Sequence, residues 1–191
     1  MILQALTPGT TIKLPLSVRM STLNQQKNEC SLETGPLALT LVNGKQTSAI
    51  KVDWVPYAPG GVNYIESDHD VLSGIFTGCV MSSYYHAKQR RVAHVHTGSD
   101  AGEGLDCKDL MKGLLSTTYV PIFSFKPFDK QVDSGVFESI CMKSKFGSFG
   151  CAPFGLVTAS NSYHVIFTLK ISNHEYVIQS VKDKSGSPYA F

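Results

Sequence analysis

A thiol and two imidazoles stand close together in the chain: Cys79, then His94 and His96. These residue types are those of a nucleophile and its base. A free thiol is mostly protonated near neutral pH, and an adjacent imidazole favours the thiolate and can later protonate a leaving amine. Gly78 leaves room beside the sulfur for a planar amide, and the backbone N–H groups of Gly78 and Cys79 are candidates to hold an oxyanion. Ser73, Thr77 or a main-chain carbonyl is the candidate third group that would orient the imidazole.

The elements that must position these groups are two strands. Ile75-Phe76-Thr77-Gly78-Cys79-Val80 opens the first, and Arg91-Val92-Ala93-His94-Val95-His96-Thr97-Gly98 ends the second. A turn at Lys88-Gln89 puts Cys79 opposite Gly98, Met81 opposite His96 and Ser83 opposite His94. Side chains alternate at period two, so the thiol and both rings project from one face. This register ranks His96, diagonal to Cys79, ahead of His94; a bulge or a different turn reverses that order, so both stay candidates.

Two plainer readings compete. A cysteine on an apolar strand is more often a small core residue than a nucleophile. His94 and His96 also have the alternate spacing of a metal pair, with Cys79 and Cys107 as further ligands, but no second close ligand pair with zinc spacing accompanies them. His69, His86, His164 and His174 read as surface or turn histidines. Trp54 reads as core, and Cys30, Cys107, Cys141 and Cys151 as buried thiols.

Around this pair the chain reads as mostly β. Residues 11–18 alternate as a half-buried strand that Pro15 assigns to an edge, and residues 21–34 read as a loop. Leu37 to Val42 and Lys45 to Asp53 flank Asn43-Gly44, the pattern of a hairpin with a two-residue type I′ turn. Trp54 to Gly61 ends that hairpin through its prolines and paired glycines. Ser67-Asp68-His69-Asp70 resembles a capping box opening a short helical turn through Val71 and Leu72. A helix follows from Asp106, with Cys107, Leu110, Met111, Leu114 and Leu115 on one face. Thr118 to Phe125 reads as a strand, Gly135 to Met142 as helix or strand, residues 147–150 as a turn, and Tyr163 to Ile171 with Glu175 to Val181 as a second hairpin. These elements predict an α+β fold, a single-domain β-sandwich with flanking helices over residues 1–191.

Composition narrows the function. The chain has 191 residues, 42% of them hydrophobic, enough for one sizeable core. Seventeen Lys and Arg against 15 Asp and Glu leave a net charge of +2 with no basic stripe, which argues against a nucleic-acid partner. The N-terminal stretch lacks the features of a signal peptide and no run approaches a membrane span, so a soluble protein without membrane partners is expected. Five cysteines without a CxxC pair predict free thiols.

At Thr77-Gly78-Cys79 and residues 92–96 the chain resembles the cytotoxic necrotizing factor class of catalytic domains, and within it the Burkholderia lethal factor-like deamidases. That class carries Ser-Gly-Cys at a strand head and a histidine on the next strand. Trp54-Val55-Pro56-Tyr57 resembles a Trp-Leu-Pro-Trp segment of the lethal factor. Ser73 stands where chemoreceptor glutamine deamidases, which share the arrangement, carry a hydroxyl residue. The resemblance spans residues 37–98, with Thr77 in place of the family serine and Ser73 in place of threonine.

The resemblance implies a cytotoxic necrotizing factor-like fold and a monomeric bacterial toxin, delivered to the host cytoplasm. It would deamidate a protein glutamine through Cys79, His96 or His94, and Ser73, without a cofactor. The implied substrate is the host translation-initiation RNA helicase, with Rho-family GTPases as the alternative. A protease or transglutaminase using the same thiol, and a binding module with a structural thiol, are the competing functions.

Overall fold

The computed structural model describes residues 2–22, 29–97, 103–147 and 150–191. Strands take up 46% of it and helices 17%, so the fold is mixed α+β and mostly β. Seven strands close into a barrel: β1 (Thr11–Lys13), β3 (Gly35–Asn43), β4 (Gln46–Pro56), β6 (Val71–Gly74), β10 (Cys151–Val157), β11 (Tyr163–Lys170) and β12 (Glu175–Asp183). The order around it is β1-β12-β11-β10-β6-β4-β3, antiparallel throughout except for the parallel β4–β6 pair. A second sheet has the order β2-β5-β8-β7-β9, with β2 (Glu29–Cys30), β5 (Val62–Glu66), β7 (Val80–His86), β8 (Gln89–Val95) and β9 (Val120–Phe125). Where two open sheets were expected to form a sandwich, one of them closes on itself and removes its edges.

Side-chain alternation divides the apolar residues among three cores. Leu37, Leu39, Leu41, Trp54, Leu72, Phe154 and Tyr176 fill the barrel, joined by Ile2 of a one-turn helix, α1 (Ile2–Ala5). The opposite faces of the same strands, through Val55, Val71, Val165 and Phe167, pack against Met81, Val92 and Phe125 of the second sheet and against Ile140 of a helix, α3 (Lys130–Lys143). The sheet's other face, through Val80, Tyr84, Ala93 and Val95, packs on Cys107 and Met111 of α2 (Glu103–Thr117). α3 starts at Asp129, whose side chain accepts from the Gln131 N–H as an N-cap. Asp133, fully buried on α3, is held by Lys184 at 2.8 Å and Lys182 at 3.2 Å.

Several expectations change. Pro15 marks no edge: β1 stops at Lys13 and is paired on both sides, with β12 and β3. The first hairpin turns at Gly44-Lys45, with only Gly44 at positive φ (59°), the II′ pattern rather than I′. Ser67 to Asp70 starts no helix, because the Ser67 hydroxyl accepts from the His69 N–H two residues on and forms a turn leading into β6. β2 lies within the stretch read as loop, of which residues 23–28 fall outside the described residues; so do residues 148 and 149 of the turn expected before β10. β5 and β10 were not foreseen. His164 is buried, not on the surface, and Cys30 and Cys141 are only partly buried.

Candidate functional site

The hairpin of β7 and β8 turns at Ala87-Lys88, both in the left-handed region (φ 48° and 69°), one residue earlier than the turn expected at Lys88-Gln89. The register therefore shifts by two residues: Met81 pairs with His94 and Val80 with Val95. A slip of two leaves the alternation intact. Cys79, Met81, His94 and His96 still share the face directed at the barrel, but Cys79 now stands across from His96, with His94 on the diagonal. Gly98, its expected partner, lies outside the described residues.

Beyond the Val80–Val95 pair the ladder gives way to side-chain contacts. Thr97 donates its hydroxyl to the Gly78 carbonyl at 2.6 Å, and its backbone N–H donates toward the Cys79 sulfur. Gly78 has φ +152°, and a Cβ there would meet nothing within 4 Å, so the space beside the thiol is open. Among the described residues no group accepts a hydrogen bond from the backbone N–H of Gly78 or Cys79.

Ser73 reaches this face from the barrel. The parallel β4–β6 pair sets Ser73 beside Val55, and the Ser73 hydroxyl donates to the Val55 carbonyl at 2.5 Å. Its one proton being committed there, Ser73 Oγ accepts from His94 Nδ1 at 2.9 Å. His94 is thus the Nδ1–H tautomer, and its bare Nε2 is buried without a hydrogen-bond partner among the described residues. Phe76 stacks on the ring at 4.1 Å between centroids and 10° between planes.

His96 is held differently. The Gly60 N–H donates to His96 Nδ1 at 3.0 Å, and the His96 N–H donates to the Gly61 carbonyl. The Tyr57 ring sits against both imidazoles, 5.3 Å from His94 and 5.4 Å from His96. The paired glycines that end the first hairpin and the Trp54–Tyr57 segment therefore carry groups that fix the rings.

Burial sets the charge state. It pushes the Cys79 thiol up to about 11, the Thr97 N–H acting weakly the other way. It pulls His94 down to about 3, helped by the neighbouring His96. The thiolate stabilised by an imidazolium, as the residue types suggested, is absent: no hydrogen bond joins the sulfur to either ring, and burial keeps the Cys79 thiol and the His94 ring neutral. The cause is the seam itself, where Cys79 is 8% and His94 1% exposed.

Of the expected site residues, the structure gathers Cys79, His94, His96 and Ser73 in one seam between barrel and sheet. Ser73 goes to His94, not to the first-ranked His96. Thr77 is exposed and bonds to neither ring. Cys107 lies in the core on the sheet's far side and cannot complete a metal set with Cys79. Sequence reasoning missed Phe76, the Val55 carbonyl and the Gly60 N–H; the two main-chain groups leave no signature in residue type.

A depression of about 560 Å³ flanks Gly78, lined also by Thr77, Lys126, Phe128 and Lys130. The larger cavity, about 840 Å³, is at the other end of the hairpin around Asp53, His69 and Arg90. Chemistry favours the smaller, because Gly78, the residue before the thiol, lines it. No family model, no curated protein and no solved structure matches the chain. Among the described residues no helix is long and apolar enough to cross a membrane.

Proposed function

We propose that this chain is a protein-glutamine deamidase of the thiol-imidazole type, in which Cys79 is the nucleophile, His94 the base and Ser73 the residue that orients it. The observation that carries the reading is the chain Val55 carbonyl–Ser73 hydroxyl–His94 Nδ1, which leaves Nε2 bare on the face shared with Cys79. A nucleophile, a base and a group that fixes the base's tautomer are the parts that acyl transfer requires.

A substrate glutamine would enter over Gly78. As it displaces water, the Cys79 proton passes to His94 Nε2 and the sulfur bonds to the carboxamide carbon. The carbon–nitrogen bond then breaks, and ammonia leaves with the proton from the imidazolium. Water, deprotonated by the same nitrogen, hydrolyses the thioester to glutamate and restores the thiol. Since the resting pair is neutral, ionisation is coupled to substrate entry, and hydrogen bonds that are long in an empty site tighten in the complex.

The family resemblance adds a cytotoxic necrotizing factor-like architecture, a toxin's role in a host cell and a substrate. Translation-initiation RNA helicase is the first protein to assay and Rho-family GTPases the second. Eukaryotic cell lysate is incubated with wild type and with Cys79→Ala, and peptide mass spectrometry scores glutamines that gain about one dalton by amide-to-acid exchange. Conversion by wild type alone is the expected result. Equal spectra would leave the burial of Cys79 as a core thiol to account for the residue, and the deamidase reading would fall. Cleaved or cross-linked products would move the thiol to a protease or a transglutaminase.

A further inference from the structure

The two imidazoles are held in opposite tautomers by neighbours that leave no choice. A backbone N–H only donates, so Gly60 makes His96 Nδ1 an acceptor, and the neutral ring carries its proton on Nε2. On His94 the same logic runs the other way: Ser73 Oγ has spent its proton on Val55, so His94 Nδ1 carries the hydrogen and Nε2 is bare. No described group accepts from His96 Nε2, and this nitrogen is not among the buried unpartnered atoms, whereas His94 Nε2 is. His96 also belongs to the strand end facing Cys79, tied to it through Thr97 and the Gly78 carbonyl.

Resting on the deamidase reading, we infer that His96 is a second catalytic residue, a neutral hydrogen-bond donor whose Nε2–H takes the carboxamide oxygen as it becomes an oxyanion. His94 moves the proton and His96 holds the charge. The Gly60 N–H on Nδ1 leaves Nε2 as the donor of the ring. The N–H groups of Gly78 and Cys79, which have no acceptor among the described residues, add donors from the same strand end. Attack by sulfur opens the carbonyl π bond, the electron pair settles on oxygen, and collapse of that pair expels ammonia; His96 gains and loses no proton at any step.

Two measurements test this on the full chain. Long-range proton–nitrogen spectra of wild type at neutral pH are expected to show a bare Nδ1 and protonated Nε2 on His96, and the reverse on His94. Kinetics follow on the lysate protein converted most, purified. His96→Gln, whose amide N–H replaces the donor, is expected to stay within a few-fold of wild type. His96→Ala is expected to lose about 100-fold in kcat, the scale of one oxyanion donor, with KM and the acid limb of the pH profile unchanged. A proton on His96 Nδ1, a wild-type rate for His96→Ala, or equal losses for Gln and Ala would overturn the assignment while leaving deamidation by Cys79 and His94 standing. Absence of conversion by wild type would remove the deamidase reading, and the donor role with it, whatever the tautomers.

Discussion

The second sheet buries polar clusters on both faces, and they are built on opposite rules. On the face toward α2, Arg91 donates through Nε and Nη2 to Glu66, at 3.0 and 2.7 Å, and lies 3.6 Å from Glu29. Glu29 in turn accepts from the hydroxyls of Tyr84 and Tyr119, and the guanidinium stacks over Tyr64 at 4.2 Å. The guanidinium and both carboxylates all have partners, so the cluster pins short β2 to the sheet. On the face toward the barrel the Cys79 thiol and the His94 ring are neutral, and His94 Nε2 has no partner among the described residues; further along that face the Arg90 guanidinium donates to the Thr158 and His69 carbonyls and leaves its own Nε unpartnered. A closed cluster reads as structure; an open valence in a dry seam is what a reaction can use.

That contrast is broken most forcefully from the closed side. Arg91→Met removes the partner of the partly buried Glu29 and of the exposed Glu66 and is expected to cost about 3 kcal/mol, the upper end for losing hydrogen bonds to charged groups. Urea unfolding measures the loss. The folded fraction should keep its reactivity at Cys79, read by iodoacetamide labelling; altered labelling would mean the two faces are coupled. A smaller effect is expected at the open site. Ser73→Ala leaves the Val55 carbonyl and His94 Nδ1–H without their partner, at a cost of about 2 kcal/mol. It should also free the His94 tautomer and lower turnover, with Ser73→Thr restoring both. Loss of stability without change in the His94 ring spectrum would make Ser73 a packing residue.

Much of the open site was legible in the sequence because strand alternation is forgiving. A turn misplaced by one residue moved the register by two, and Cys79, His94 and His96 kept a common face. What the residues did not show was the ranking of the rings. That depends on Ser73 and Val55 from the barrel and on Gly60 from the preceding loop, contacts that only the packing of barrel on sheet creates. The charge state was hidden for the same reason: residue types suggest a thiolate-imidazolium pair, and desolvation in the seam forbids it at rest. Among elements, β10 was missed because Pro153 and Gly155 argue against a strand with neighbours on both sides. In the fold β6 pairs with β10 only from Phe154 onward, and a Cβ at Gly155 would run into Met81, Pro127 and Phe76.

The pH dependence gives the sharpest reading of the contrast, because it belongs to a single proton. His94 is pulled from an ordinary 6.5 to about 3 when the chain folds. Between those values the unfolded chain binds a proton that the folded chain refuses. The His94 contribution to stability is therefore fully present above about pH 6.5 and is lost as the pH falls toward 3, with a slope of up to about 1.4 kcal/mol per pH unit. Carboxylates elsewhere add slopes of their own, so the informative quantity is the difference between wild type and His94→Gln. Unfolding free energies measured from pH 7 down to pH 4 should converge, the variant falling less steeply. At the other end, Cys79 labelling by iodoacetamide should stay slow at pH 7 and rise only well above pH 9, as a thiol held at about 11 requires. Parallel stability curves, together with fast labelling at neutral pH, would mean that the seam admits water and already holds the ion pair. Its open nitrogen would then be as well answered as Arg91 is on the other face.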